Sequence, residues 1–154
     1  MAPVITVNNT LALKKYPGMG RGVYSTIPIR RGGIVEVAPV IPLTIADWKL
    51  IKSTSLQTYV YAWEGNGTSS AIALGYGGLY NHSDDPNMSF CLNVRRQWIT
   101  FRATRDIPAS EQLTIDYMWS KKDRKKYLVP APTELDGDEI GFLVAKVAEI
   151  KRPR

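Results

Sequence analysis

One short segment near the middle of the chain concentrates side chains that could do chemistry. Residues 79–87 read LYNHSDDPN and include His82, the single histidine among the 154 residues. Asn81 and His82 together offer hydrogen-bond donors, acceptors and a titratable ring, which makes His82 a candidate general base. As a metal ligand His82 would be joined only by carboxylates, because the sequence holds no second histidine. The simplest interpretation is a turn, in which the Asn, Ser and Asp side chains hydrogen-bond the backbone ahead of the proline.

A glycine-rich segment, residues 18–24, could bring the backbone close to a bound molecule. Alternate glycines permit such an approach and present backbone N–H groups. A dinucleotide-binding fingerprint is disfavoured, since no helix pattern follows Gly22. Arg21 could pair with a ligand carboxylate or be a solvated turn residue. An ordinary turn between two strands explains the same pattern.

The third segment, residues 111–117, reads EQLTIDY and predicts an alternating strand that ends at Tyr117. Its tyrosine could lie in the core with a bonded hydroxyl, or at a functional site. On this segment alone the two interpretations stay open.

The elements that must position these groups are mostly short strands with turns between them. Thr44 is a predicted helix N-cap, with Asp47 at the third helical position and the helix running to about Lys52. Short strands recurring about every ten residues indicate a mainly β, β-dominated α+β domain. The strands are predicted at residues 11–15, 23–26, 34–43, 58–63, 70–74, 88–94, 97–103 and 113–117.

Composition narrows the class of protein. Of its residues, 44% are hydrophobic and 22% are charged, which is typical of a globular protein. Its length of 154 residues suits a single domain. Cys91 is the sole cysteine, so we expect no internal disulfide, no thiolate zinc site and an intracellular location. We see neither a signal peptide nor a membrane span. A net charge of +6 is compatible with binding to nucleic acid, to an anionic membrane surface or to an anionic cofactor. The basic run at residues 121–126 is equally typical of a solvated helix face.

Taken in order, the segments resemble the SET-domain family of protein lysine methyltransferases, from Leu11 to about Trp119. The resemblance implies a SET fold of several small curved sheets with a pseudoknot and short helices. The matching elements are residues 20–24 for the Gly-x-Gly opening, 27–35 for its continuation, 81–87 for Asn-His-Ser-x-x-Pro-Asn, and 101–117 for the final element that ends in tyrosine.

The resemblance also implies a cofactor, S-adenosylmethionine, and roles for single residues. Tyr117 is the catalytic residue that orients the methyl group, and His82 positions the cofactor rather than shuttling a proton. No metal is implied. The expected cofactor-binding residues are Gly20, Arg21, Gly22, Val23, Tyr61, Asn81 and His82, and the expected lysine-channel residues are Tyr24, Tyr80 and Trp119.

Departures from the family pattern limit what can be carried over. Asp84 stands where many relatives have cysteine, and the cysteine-rich flanks of zinc-binding relatives are missing, which is typical of a bacterial or viral type. Ser110 replaces a frequent glycine, and Met118 follows Tyr117. Another residue must then close the lysine channel. Candidates are Trp119, Tyr127 and Phe142, each of which could equally lie in the core.

The predicted organisation is a SET domain at residues 1–129 and a C-terminal extension at residues 130–154 that packs on or beside it. The expected partner is a protein with a target lysine, such as a histone tail, attracted by an acidic rim. A weak DNA contact through the basic run, a homodimer, and a location in the cytoplasm or on chromatin are further expectations. One alternative is a SET-like module that binds protein or chromatin without catalysis, and another is a basic nucleic-acid-binding domain. The expected rim residues are Glu36, Asp84, Asp85 and Glu111.

Overall fold

A computed structural model of the protein describes residues 10–65 and 68–117. This part of the chain is mainly β-structure, as predicted, with one α-helix, α1 (Ile45–Ile51), and a 3₁₀ helix (Ser55–Tyr59). The strands are β1 (Leu11–Tyr16), β2 (Gly20–Ser25), β3 (Ile34–Thr44), β4 (Val60–Gly65), β5 (Thr68–Ala73), β6 (Asn81–His82), β7 (Met88–Asn93), β8 (Trp98–Ala103) and β9 (Gln112–Ile115).

The strands form two sheets. One has the order β1-β2-β9-β6, and the other has the order β4-β5-β3-β8-β7. The long strand β3 lies at the centre of the second sheet, and its register shifts between Ile34 and Glu36 and again between Leu43 and Thr44. Such irregularities bend a strand, which suits the small curved sheets expected from the sequence.

Helix α1 begins where its sequence signal predicts. The Thr44 side chain accepts a hydrogen bond from the Asp47 N–H, and the Asp47 carboxylate accepts one from the Thr44 N–H at 2.8 Å. This reciprocal capping box satisfies two backbone donors at the helix start. Trp48 is the buried residue of the helix.

The core is rich in aromatic side chains. Phe101 of β8 is fully buried, and the Tyr80 ring lies 4.8 Å from it between ring centroids. Tyr61 of β4 adds edge-on contacts to Phe90 at 5.5 Å and to Phe101 at 6.3 Å. Edge-on pairs of this kind add to the stabilisation that burial alone gives. The core therefore lies directly beneath the segment that carries Tyr80 and Asn81.

A two-residue strand that sequence analysis did not predict joins distant parts of the chain. Strand β6 pairs with β9 in parallel, with Asn81 opposite Thr114 and His82 opposite Ile115. The Ser83 N–H extends the contact to the Ile115 carbonyl at 3.1 Å. The middle segment and β9 are thereby adjacent, as the predicted pseudoknot requires.

Several sequence predictions fall outside the described residues. These are the basic run at 121–126 and the boundary of the extension at 130. Trp119, Tyr127 and Phe142 lie outside them as well, and all of these stay predictions. Between residues 10 and 117, leaving aside 66–67, no helix is long and apolar enough to cross a membrane.

Candidate active site

The three sequence segments meet around β9. This strand lies between β2 and β6, so it carries the glycine-rich segment on one side and the Asn-His segment on the other. Val23 pairs with Leu113, and the Asn81 side-chain amide donates to the Arg21 carbonyl at 3.2 Å. Residues far apart in the sequence thus form one continuous site.

Gly22 lies where these segments touch, and the side chains around it leave little room for a Cβ. A Cβ there would lie 2.6 Å from both the Asn81 and the Gln112 side-chain nitrogens, and 2.8 Å from the Tyr16 ring. Gly20 differs, because its φ of +75° favours glycine but a Cβ would meet nothing within 4 Å. The turn therefore presents open space at Gly20 and a tight junction at Gly22, while Val23 is fully buried in the core.

His82 is held on both ring nitrogens. Its Nδ1 accepts from the Tyr117 backbone N–H at 3.1 Å, so the proton of the neutral ring belongs on Nε2. Nε2 donates to the Asp84 carboxylate at 3.0 Å, and Asp116 lies 3.7 Å from Nδ1. The side chain is buried, and its ring lies 5.4 Å from that of Tyr117. These contacts engage both ring nitrogens and do not suit a proton carrier, while the predicted contact of His82 with a cofactor stays a prediction.

Tyr117 is held through its hydroxyl. The Tyr117 O–H donates to the backbone carbonyl of Tyr80 at 2.6 Å. Burial raises the pKa of the phenol to about 12, and the nearby Tyr59 adds to the increase. At neutral pH the phenol therefore carries its proton and cannot act as a general base.

Tyr61 lies close to the same phenol. Its hydroxyl donates to the Gly77 carbonyl, and its pKa is raised well above the usual value by burial and by the neighbouring Tyr117. Two tyrosine hydroxyls thus point at two carbonyls of one short loop, those of Gly77 and Tyr80.

Asn87 ties the Asn-His segment to β9. It is fully buried, and its amide donates to the Gln112 carbonyl at 2.8 Å and to Glu111 at 2.9 Å. Its side-chain oxygen accepts from the Thr114 N–H at 2.9 Å. Glu111 in turn pairs with Arg105, which is the first cause of its lowered pKa. This network fixes the position of β6 beside β9.

Two of the four carboxylates expected on the acidic rim are instead engaged by neighbouring residues of the protein. Glu36 is only partly exposed and bonds Tyr80 and Tyr76, while Glu111 is engaged by Asn87 and Arg105. Asp84 and Asp85 are exposed, and Asp116, which sequence analysis did not name, adds a third carboxylate with 45% of its side chain exposed. Of these three carboxylates, Asp84 and Asp116 lie beside His82.

The predicted lysine-channel residues lie in different surroundings, one in the core and one beneath a lysine side chain. The Tyr80 side chain is 1% exposed, so what it offers to the site is its carbonyl oxygen. Tyr24 lies on β2 beneath Lys14, whose ammonium is 4.9 Å from the ring centroid. Tyr59, which the motifs did not single out, is close enough to influence Tyr117 and is partly exposed.

Ser110 explains one departure from the family pattern. Its φ is +68°, in the left-handed region that favours glycine. Its N–H donates to the Ser25 carbonyl at 2.7 Å, and its carbonyl accepts from Lys14 at 3.3 Å. Serine thus adopts the turn that glycine adopts more readily.

Comparisons with known proteins agree with this geometry. The SET-domain family model matches residues 20–118, well over half of the chain. The chain is 27% identical over 137 residues to a Schizosaccharomyces pombe protein named histone-lysine N-methyltransferase, H3 lysine-37 specific, covering 86% of this chain and 91% of that protein. A crystal structure of a candidate histone methyltransferase from Plasmodium falciparum matches with a TM-score of 0.58 and 25% identity, covering 75% of this chain and 99% of that one. The chain therefore belongs to the SET-domain family of protein lysine methyltransferases.

Proposed function

We propose that this enzyme transfers a methyl group from S-adenosylmethionine to a lysine side chain of a histone. The observation that carries the proposal is the Tyr117 hydroxyl, held on the Tyr80 carbonyl immediately before the Asn81–His82 strand. A histone substrate is supported by the relative from fission yeast, whose name specifies a histone H3 lysine. The same relative supports action on chromatin in the nucleus.

The glycine-rich turn and the Asn-His segment fit the proposed cofactor. Open space at Gly20, with the exposed Arg21 beside it, leaves room for a ligand against the backbone. Asn81 holds the Arg21 carbonyl and so keeps this turn next to His82. When bound, S-adenosylmethionine supplies a methyl group activated by its sulfonium. The residues that would hold it, as the family resemblance implies, are Gly20, Arg21, Gly22, Val23, Tyr61, Asn81 and His82.

The target amine must lose its proton before it can attack, and neither candidate base does this. Tyr117 is protonated, and both ring nitrogens of His82 are engaged. A lysine amine has an unperturbed pKa near 10.4, but removal from water lowers that value, because burial disfavours the charged form. We infer that the amine gives its proton to solvent on entering the site. The chain then contributes alignment of the reacting atoms and the fixed oxygens of Tyr117 and Tyr80.

The charge of the site favours a basic substrate. Asp84 and Asp116 flank His82 on the partly exposed side, next to Tyr117. Carboxylates placed there would attract a lysine-rich segment despite the net positive charge of the whole chain. The DNA contact through residues 121–126 and the homodimer stay predictions.

The proposal is tested with the Tyr117→Phe variant. Removing the hydroxyl that Tyr80 holds should lower turnover by about 100-fold or more, while affinity for S-adenosylmethionine stays within about twofold. Thr26→Val is the control, because its exposed hydroxyl also donates to a backbone carbonyl, that of Thr10 at 3.1 Å, and Thr26 belongs neither to the site nor to the 75–80 loop. The turnover of this variant should stay close to that of the wild type.

Two measurements decide the result. Intact mass spectrometry of core histones after incubation with enzyme and S-adenosylmethionine counts methyl additions, and calorimetry gives the cofactor affinity. Unchanged turnover in Tyr117→Phe would reject the catalytic role. A wild-type protein that binds no S-adenosylmethionine would reject the proposed function as a whole.

A further inference from the structure

The loop at residues 75–80 supplies both carbonyls that hold the site tyrosines. The Gly77 carbonyl accepts the Tyr61 hydroxyl, and the Tyr80 carbonyl accepts the Tyr117 hydroxyl at 2.6 Å. The positions of both phenols therefore depend on the conformation of a loop that has no ladder partner of its own. Contacts from other parts of the fold must therefore fix the conformation of this loop.

Glu36 binds the loop at both of its ends. One carboxylate oxygen accepts from the Tyr76 N–H at 2.9 Å, and the other accepts from the Tyr80 hydroxyl at 2.7 Å. The loop approaches so closely that a Cβ on Gly75, whose φ is +67°, would lie 2.5 Å from the first oxygen. A single side chain thus brackets the segment that contains both carbonyls.

The strand that carries Glu36 is well placed to act as a rigid support. Strand β3 is the centre of the five-stranded sheet, and Glu36 is paired with Phe101 just after a shift in register. The carboxylate interrupts an otherwise apolar strand, and burial raises its pKa above the usual value despite the two hydrogen bonds that lower it. A group that is costly to desolvate is expected only where its bonds serve a purpose.

We propose that Glu36 is a positioning residue for catalysis. It holds the 75–80 loop against β3, so that the carbonyls of Gly77 and Tyr80 fix the hydroxyls of Tyr61 and Tyr117. The hydrogen bonds of Glu36 go to the loop, and its charge also adds to the raised pKa of Tyr61. This inference rests on the proposed methyl transfer and names a residue outside the cofactor and lysine positions that the sequence motifs contain.

The test compares three variants that differ in how they treat the two bonds. Glu36→Ala removes both and should lower kcat by about tenfold or more, with affinity for S-adenosylmethionine unchanged. Glu36→Gln keeps the shape of the side chain. Its amide carbonyl can accept from the Tyr76 N–H, and its NH₂ group can donate to the Tyr80 oxygen. The kcat of this variant should therefore lie within about threefold of the wild-type value. Tyr80→Phe breaks one bond only and should give an intermediate loss.

The double variant distinguishes positioning from separate local damage. If Glu36 acts through Tyr80, the losses in kcat from Glu36→Ala and Tyr80→Phe should be less than additive. Asp47→Ala is the control. The Asp47 carboxylate caps α1, and its hydrogen bonds go to Thr44 and not to the 75–80 loop. This variant should lower the melting temperature and leave kcat unchanged. All rates are taken well below the melting temperature of each variant.

A readout independent of turnover separates this inference from the proposed function. With ¹³C-labelled tyrosine, the ring resonance of Tyr117 should shift or broaden in Glu36→Ala and return in Glu36→Gln. A wild-type enzyme without methyl transfer would defeat the proposed function but leave this resonance test intact. An unmoved Tyr117 resonance, or an unchanged kcat in Glu36→Ala beside a lower melting temperature, would overturn the positioning role.

Discussion

Replacement of Asn87 by alanine should be among the most destabilising single changes near the site. The side chain is 1% exposed, and it satisfies the Thr114 N–H at 2.9 Å and the Gln112 carbonyl at 2.8 Å. Each buried backbone group left without a partner costs about 1–3 kcal/mol. Two such groups give roughly 2–6 kcal/mol, and we expect about 4 kcal/mol, a large part of the 5–15 kcal/mol typical of a domain.

The free energy of unfolding is measured by urea titration of the wild type, Asn87→Ala and a matched control. Asn93→Ala is that control, because its side chain accepts a single turn hydrogen bond from the Arg96 N–H at 3.0 Å. Its loss should cost no more than about 1 kcal/mol. If Asn87→Ala costs no more than Asn93→Ala, then Asn87 does not fasten the Asn-His segment to β9 and this reasoning is wrong.

Two further changes probe the same junction. Gly22→Ala places a Cβ 2.6 Å from the Asn81 amide, and we expect it to destabilise the domain by about 1–3 kcal/mol and to weaken S-adenosylmethionine binding, both measurable by thermal shift with and without the cofactor. The pKa of Glu111 is lowered by Arg105, so its folded pKa lies below its unfolded value. Its stabilisation is therefore present above about pH 4.5 and is lost as the pH falls through the folded pKa. In urea titrations, the free energy of unfolding of Glu111→Gln should fall less between about pH 5 and about pH 3 than that of the wild type. The difference should be less than about 1 kcal/mol, because the ion pair is partly exposed.

Local structure followed from the sequence because its signals are local. Thr44 and Asp47 are three residues apart, and the capping box they predict is the one the structure contains. The hairpin between β7 and β8 was equally readable, since its two apolar strands flank a turn at residues 94–97. Such features depend on hydrogen bonds and periodicities within a few residues.

The parallel contact between β6 and β9 could not be predicted in this way. β6 is two residues long, and its partner Thr114 lies 33 positions beyond Asn81. No periodicity can be recognised in two residues, so only the family motif suggested that the segments meet. The burial of Glu36 is a similar case. A lone carboxylate in an apolar run was visible, but its partners Tyr76 and Tyr80 come from a distant loop.

The motifs named residues of the candidate site but not the part of each residue that makes a contact. Tyr80 was expected to line the channel with its ring, whereas the ring is buried and the carbonyl meets Tyr117. His82 was expected to position the cofactor, and the structure adds how it is itself positioned, by Asp84 and the Tyr117 N–H. Backbone atoms carry no sequence signal, so such contacts emerge only from the fold.

The order β1-β2-β9-β6 has a consequence for the newly synthesised chain. The glycine-rich turn and the Asn-His segment are made early, but the strand that separates and joins them ends at Ile115. A nascent chain that has not yet reached this residue lacks the strand that pairs with both β2 and β6, so the two segments cannot yet be joined through it. Because long-range strand pairing is slow to form, we expect the candidate site to be assembled late, after β9 has been synthesised.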